Sequence, residues 1–390
     1  MDNFQYYSPT YFTFGKGVES ETGALVKRFG GTKVMLHYGG GSVIRSGLLD
    51  RVKKSLEAEG IEYIELGGVK PNPLSGLVYE GIEMARKEGV DFMLPVGGGS
   101  TIDSAKAIAF GVPYDGDFWD FYTGKAVIQK ALPVGTVLTL AATGSEASTD
   151  SVVTHEDGMH KRCADSDLIR PVFSVMNPEL TCTLPQYQTA SGIADIMSHS
   201  MERYFSESKD VELTDRLLEA VLITMIKEGR RCIDDPQNYQ ARANVMWAAT
   251  VAHSNITGVG RIQDWGTHHM ENELSTNYGC SHGDGLAILT PYWMEYAMKH
   301  NDVTPFVKFA TRVFGCKMNF EDPMATAMEG AEKLREFFNY IGLHSTIGQI
   351  GGKPEDAKML ADGMFFGAPN HGNFIKLTPE IAEEIYRSAM

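Results

Sequence analysis

Twice in its first 100 residues the chain runs a short apolar segment into three glycines and a serine, and each time a helical pattern follows. Lys33-Val-Met-Leu-His-Tyr38 ends in Gly39-Gly40-Gly41-Ser42, and Val90-Asp-Phe-Met-Leu-Pro-Val96 ends in Gly97-Gly98-Gly99-Ser100. A chain that turns tightly from strand to helix, and does so repeatedly, is driven towards a parallel sheet with helices covering both faces. Further strands over 61–66 and 133–140, and helices over 43–58, 74–87 and 101–110, continue the alternation. Pro71-Asn72-Pro73 breaks the chain between two of these units. From about residue 185 the pattern changes to helical runs over 211–228, 240–254, 303–313 and 324–341, with few strand candidates. The expected organisation is an α/β domain over 1–184 and an all-α domain over 185–390.

Composition narrows the function. The chain has 390 residues, 43% hydrophobic and 22% charged, the make-up of an ordinary globular enzyme with room for two cores. Its formal charge of -15 repels nucleic acid and anionic membranes, so neither is expected as a partner. Five cysteines, without a Cys-x-x-Cys pair, fit a reducing cytosol better than a disulfide scaffold. The first residues, Met-Asp-Asn-Phe-Gln-Tyr-Tyr, carry neither a basic nor an apolar leader pattern, and no run approaches the length of a membrane span. A cytoplasmic location is expected.

The glycine tracts suggest phosphate binding. Glycines allow close approach of the backbone to a ligand, and the start of a helix offers free N–H groups and a positive dipole end to a pyrophosphate. Gly97, Gly98, Gly99 and Ser100 fit that use; a tight turn capped by a hydroxyl is the plainer alternative. Neither tract completes Gly-x-Gly-x-x-Gly, so this is not the standard dinucleotide fingerprint. Gly39, Gly40, Gly41 and Ser42 present no carboxylate where NAD enzymes commonly place one against the ribose 2′-hydroxyl, which leaves room and donors for a 2′-phosphate.

The second half carries a different signal. Asp195 and His199, in Gly192-Ile-Ala-Asp-Ile-Met-Ser-His199, stand four apart on one helix face. His268 and His282 lie in Asp264-Trp-Gly-Thr-His-His269 and Gly279-Cys-Ser-His-Gly-Asp-Gly285. One carboxylate and three imidazoles suit Fe²⁺, Zn²⁺, Ni²⁺ or Mn²⁺, and the absence of a thiolate argues against a structural zinc knot. The plainer alternative makes Asp195 a cap and the histidines ordinary polar residues. Met197, Met201, Met225 and Trp247 are expected in the core. Trp265 either walls a pocket or packs between helices, and His155, His160 and His253 are expected to be structural or on the surface.

These residues together resemble the iron-dependent (group III) alcohol dehydrogenases, in particular the NADPH-dependent butanol dehydrogenase and aldehyde reductase branch. The likeness runs from Pro9-Thr-Tyr-Phe-Thr-Phe-Gly-Lys-Gly17 through Pro71-Asn72-Pro73, Gly97-Gly-Gly-Ser-Thr-Ile-Asp103 and Thr139-Leu-Ala-Ala-Thr143-Gly-Ser-Glu146. It continues in the segment 185–202, in Gln263-Asp-Trp-Gly-Thr-His268 and in His282-Gly-Asp-Gly285. The resemblance implies a dehydroquinate-synthase-like fold, with an α/β dinucleotide-binding domain, an all-α metal-binding domain and an active site between them. It implies Asp195, His199, His268 and His282 as ligands of one divalent metal. It places Gly97 to Ser100 at the pyrophosphate with Asp103 nearby, Thr139 and Thr143 at the nicotinamide and ribose, and Asn72 and Lys161 by the cofactor. Gly39 stands where NAD-preferring relatives carry aspartate, which favours NADP(H). A homodimer is also implied.

The implied reaction is reversible reduction of an aldehyde such as butanal to a primary alcohol, with hydride from the nicotinamide and a metal Lewis acid carrying a formal site charge near +1. Many members place a second histidine four residues after the third ligand; here that position is Asn272, and His269 points about 100° away around a helix. Asn177-Pro178 replaces the usual Asp-Pro, a change expected to be structural. Rival readings on the same fold are a sugar-phosphate cyclase, a polyol (glycerol-type) dehydrogenase, or a nucleotide sensor without chemistry. A cyclase uses a glutamate and two histidines and needs basic residues for its substrate phosphate, unlike the Asp-plus-three-His set here.

Overall fold

The computed structural model describes residues 1–365 and 371–390. The chain divides into two compact units, one of residues 7–182 and one of 183–390 joined by 1–6.

The first unit is built on a six-stranded sheet whose neighbours are all parallel. Its strands are β1 (Tyr11–Phe14), β2 (Lys33–Gly39), β3 (Glu62–Val69), β4 (Phe92–Gly97), β5 (Gly135–Leu138) and β8 (Phe173–Met176), in the order β1-β8-β5-β4-β2-β3. The remaining strands, β6 (Asp150–His155) and β7 (His160–Asp165), form a separate antiparallel hairpin. The central strands are buried on both faces, and the side-chain alternation shows it. Val34 and Leu36 of β2 join Phe92, Leu94 and Val96 of β4 in one core, while Met35 and Met93 point into the other with Ile82, Ile108 and Phe110. Hence the central strands read as unbroken apolar runs.

Several elements differ from the sequence expectation. The helix expected over 43–58 is two, Ser42–Arg45 and Leu48–Ala58, because Gly47 takes a left-handed conformation (φ 70°) between them. Strands β1 and β8 and the β6–β7 hairpin had no expectation; β1 and β8 are only four residues each, too short to show a period. Asn177, just after β8, accepts the Glu179 N–H at 3.0 Å and donates its amide to Glu19 at 3.1 Å. An aspartate there would face the Glu19 carboxylate, so the amide is matched to its neighbour.

The second unit consists of helices, with the long ones at Gln186–Tyr204, Glu212–Asp234, Tyr239–His253, Gly266–Tyr278, His282–His300 and Pro323–Tyr340. The first six residues belong here rather than with the α/β unit, since the Met1 amine donates to Lys209 O at 2.8 Å and the Asp2 N–H to Gly260 O at 2.9 Å. Met197, Met201 and Met225 are buried as expected. Trp247 is not: it is 45% exposed, because the helix Tyr239–His253 buries its 245, 246, 248 and 249 positions and turns 247 outward. No helix among the described residues is long and apolar enough to cross a membrane. No disulfide joins any of the five cysteines.

Candidate functional site: a carboxylate–imidazole cluster and a glycine cradle

The helix Gln186–Tyr204 is buried from Thr189 to its end, so its polar residues are committed to the interior. Asp195 lies on this helix with its Oδ1 3.6 Å from His199 Nε2, 3.9 Å from His268 Nε2 and 3.8 Å from His282 Nε2. These separations exceed hydrogen-bond lengths. They fit instead the roughly 3–4 Å between donors that share one ion at about 2.1 Å. The donor atoms of Asp195, His268 and His282 all lie within 4.8 Å of one another, and His199 joins them through Asp195. Asp195 Oδ1 and His268 Nε2 are buried with no hydrogen-bond partner. Buried polar atoms left this way carry a penalty of several kcal/mol in the absence of a partner, on the order of 2–7 for a neutral group. An Asp/His₃ set thus fits one divalent cation.

The imidazoles are aimed by two carboxylates that sequence reading missed. Glu202 Oε1 accepts His268 Nδ1 at 2.9 Å and the His268 backbone N–H at 3.0 Å, and it also accepts the Thr267 hydroxyl. Glu271 Oε2 pairs with His282 Nδ1. A carboxylate on Nδ1 fixes the tautomer that leaves the Nε2 lone pair free for a metal. Burial raises the Glu202 carboxyl, but the bonds from His268 and Thr267 bring it below its ordinary value. Sequence spacing puts Glu202 one turn after His199 and Glu271 one turn after His268, but each meets a histidine on another helix, so the spacing does not reveal the pairing. With Asp195, three buried carboxylates surround the site. The four ligands and a divalent ion would together stay near +1, and Glu202 and Glu271 add two buried carboxyl groups behind them that the ligand list omits.

The walls are aromatic. His253 stacks on His199 at 4.2 Å between ring centres and lies 3.2 Å from Arg203 Nη2, so it belongs to the site rather than the surface. Trp265 takes a left-handed conformation (φ 66°) uncommon for a bulky residue, and sets its ring edge-on to His199, His253 and His268 and under Arg203. The Asp264 carboxylate holds this turn by accepting N–H groups from Gly266, Asn373 and Phe374. Burial, first, and then the neighbouring His253 and His268 push His199 well below its ordinary range, which keeps it neutral. His282 opens its helix against the ligand helix. A Cβ on Gly283 would stand 1.9 Å from Ser191 O, so only glycine permits this approach. Asn272 lies one turn beyond His268, with its carbonyl 3.4 Å from Ser275 Oγ. His269 turns away and packs on His371 at 4.5 Å.

In the first unit, the helix Gly99–Gly111 begins directly after β4, and no side chain caps its start. A hydroxyl-capped turn is therefore not what the glycines build; Ser100 is already inside the helix. A Cβ on Gly99 would meet Thr143 Oγ1 at 2.3 Å, and one on Gly97 would meet Thr101 at 2.5 Å, so the glycines let the turn close against two threonines. The Thr139 N–H donates to Gly97 O at 3.0 Å. The Asp103 carboxylate accepts Ser145 Oγ at 2.5 Å and the Val152 N–H at 3.1 Å. At the end of β2, Gly41 is left-handed (φ 101°), Ser42 starts a short helix, and a Cβ on Gly40 would meet nothing within 4 Å. A Cβ on Gly39 would stand 3.3 Å from Val69 O. Asn72 is left-handed (φ 51°) in the turn after β3, and Lys161 lies on β7 opposite Thr154.

Comparison with known proteins matches these features across the chain. The family model for iron-containing alcohol dehydrogenase matches residues 9–178, and that for the Fe-containing alcohol dehydrogenase family C-terminal part matches 189–390. The chain is 40% identical over 390 residues to NADH-dependent butanol dehydrogenase A of Clostridium acetobutylicum, with 100% of both chains covered. It is 35% identical over 398 residues to the NADPH-dependent aldehyde reductase YqhD of Escherichia coli, again covering 100% of both. The crystal structure of an NADH-dependent butanol dehydrogenase A from Thermotoga maritima superposes with a TM-score of 0.96 at 37% identity, covering 100% of this chain and 99% of that one. With both halves matched and the fold shared from end to end, the chain belongs to the iron-containing alcohol dehydrogenase family.

Proposed function

We propose that this protein interconverts aldehydes and primary alcohols of the butanal and butanol size, with NADP(H) at the glycine cradle and one divalent metal at Asp195, His199, His268 and His282. The carrying observation is the convergence of three imidazole Nε2 atoms on the orphaned Asp195 Oδ1. Family membership makes the enzyme an alcohol dehydrogenase or aldehyde reductase and does not favour a sugar-phosphate cyclase.

When bound, the metal supplies Lewis acidity towards the carbonyl oxygen, and the nicotinamide supplies or accepts hydride. The chain's own residues do the rest. Glu202 and Glu271 hold His268 and His282 with Nε2 inward. His199, kept neutral by burial, adds a third imidazole without a proton to displace. Trp265 and His253 form a rigid wall around these rings. Asn272 cannot relay a proton as an imidazole can, and His269 faces His371, so protons reach the product through water.

For the cofactor, support for NADP(H) is the absence of any carboxylate in Gly39-Gly40-Gly41-Ser42. The relatives' names divide, with butanol dehydrogenases called NADH-dependent and the aldehyde reductase NADPH-dependent. Family likeness supports a cytoplasmic homodimer, which sedimentation velocity checks. The decisive assay strips the protein of metal, restores Fe²⁺, Zn²⁺, Ni²⁺ or Mn²⁺ in turn, and follows oxidation of NADPH and NADH with butanal. Metal-dependent turnover favouring NADPH is expected. A preference for NADH removes the cofactor choice alone; no turnover with any metal removes the reading.

A further inference from the structure

Lys106 lies on the helix Gly99–Gly111, two turns beyond the glycines, with no exposed surface. Its Nζ donates to Ser145 Oγ at 2.9 Å, Ser148 O at 3.0 Å and Asp150 O at 2.8 Å, with Ser148 Oγ at 3.4 Å. Ser145 and Ser148 lie in the irregular stretch between β5 and β6, and Asp150 opens β6. The irregular stretch also carries Thr143, packed against Gly99, and Ser145 of that stretch and Val152 of β6 both donate to the Asp103 carboxylate one turn earlier on the helix. Ser151 Oγ donates to Asp103 O at 2.8 Å and lies 2.7 Å from the buried Tyr122 hydroxyl. The helix that begins at the glycine turn therefore grips the segment 143–152 along its first three turns.

A buried ammonium is an expensive way to fill space; an apolar side chain of similar length would be as stable or more so. Lys106 instead supplies a positive donor to the backbone carbonyls of Ser148 and Asp150, where the chain passes from the irregular stretch into β6. Burial lowers its pKa to about 8 against the pull of Asp103 and Asp150, in keeping with an internal cation whose ligands are fixed oxygens.

We propose that Lys106 is a positioning residue for the cofactor: its ammonium pins the segment 143–150 to the glycine-tract helix, holding Thr143 against Gly99 where the pyrophosphate turn must keep its shape. This rests on the reading that the cradle binds a nicotinamide dinucleotide. No role in holding metal follows, since the ligands lie in the other unit.

The test uses the full-length, metal-loaded protein and measures the NADPH Kd by fluorescence titration, the bound metal by mass spectrometry, and kcat at saturating cofactor. Lys106→Met keeps the length and removes the charge; its Kd is expected to weaken by roughly tenfold or more while metal content stays at the wild-type level. Ser145→Ala, which removes one partner, is expected to weaken it less. In Lys106→Ala, added ethylammonium is expected to recover affinity and ethanol of the same size is not, a distinction that a packing role would not produce. A folded Lys106→Met protein with wild-type Kd overturns the proposal. Should that variant fail to fold, unchanged Kd in Ser145→Ala with no ethylammonium effect in Lys106→Ala overturns it equally. If the wild-type protein binds neither NADPH nor NADH, the parent reading falls instead.

Discussion

The cluster around Asp195 and the cradle at Gly97 solve opposite problems with opposite materials. The cradle is made by leaving side chains out: Gly97 and Gly99 let threonines close on the turn, and no side chain caps the helix start that the proposed cofactor would use. The cluster is made by adding side chains, each held by another: Glu202 behind His268, Glu271 behind His282, His253 stacked on His199. A backbone site tolerates changes around it as long as its curvature is kept. A side-chain site depends on partners up to two contacts away. The cradle is therefore expected to fail by distortion and the cluster by loss of aim.

The largest effect should come from His268→Ala. It removes one Nε2 and frees the Glu202 carboxylate to repel Asp195, and bound metal should fall to background by mass spectrometry while NADPH still binds. Full metal retention would refute the ligand assignment. Next comes Glu202→Gln, which keeps the shape and a hydrogen bond but loses the charge; metal affinity should drop roughly 10–100-fold with cofactor Kd unchanged. If Glu202→Gln binds metal as tightly as wild type, the two regions do not differ in the way argued.

Glycines sharpen the comparison further. Gly283→Ala drives a Cβ to 1.9 Å from a backbone carbonyl that cannot rotate away, so the start of the His282 helix must shift. A loss of about 1–3 kcal/mol in thermal or denaturant unfolding is expected, together with weaker metal binding. Gly40→Ala meets nothing within 4 Å and should be close to neutral, within roughly 0.5 kcal/mol. Equal costs for the two would mean that the close approach at Ser191 is not what retains Gly283.

What the sequence disclosed follows the same division. The glycine tracts and the Asp195/His199 pair are local patterns, so turn chemistry and helix period reveal them. Glu202, Glu271 and His253 act through contacts between helices, and nothing in one segment alone says which histidine a glutamate will meet. The resemblance puts Asp103 near the pyrophosphate; its bonds to Ser145 and Val152 tie the helix to a distant segment, which sequence spacing does not show. Trp247 failed because an apolar residue at helical spacing was read without knowing which face was covered. Strands β1 and β8 are too short for a period to emerge.

The smallest effect, and the most direct contrast, concerns pH. In the cradle Asp103 is raised to about 6 and Lys106 lowered to about 8, both mainly by burial. Between the ordinary carboxyl value and pH 6 the folded protein keeps a proton on Asp103 that the unfolded chain releases, so stability falls as pH rises through that window. Between pH 8 and the ordinary lysine value of 10.5 the unfolded chain keeps a proton that folded Lys106 releases, so stability rises again. The buried pair thus weighs against folding most in the neutral range, where both groups are charged. Cofactor affinity should run the other way, declining a few fold as pH passes 8 and the ammonium loses its charge. Asp103, Glu146, Asp150 and Arg170 are the charged neighbours that tune this titration. Melting temperature and NADPH Kd followed from pH 5 to 10 should show both trends in the wild type and neither of the alkaline ones in Lys106→Met. An alkaline loss of affinity that survives in Lys106→Met would place its origin elsewhere in the site and leave Lys106 a structural residue only.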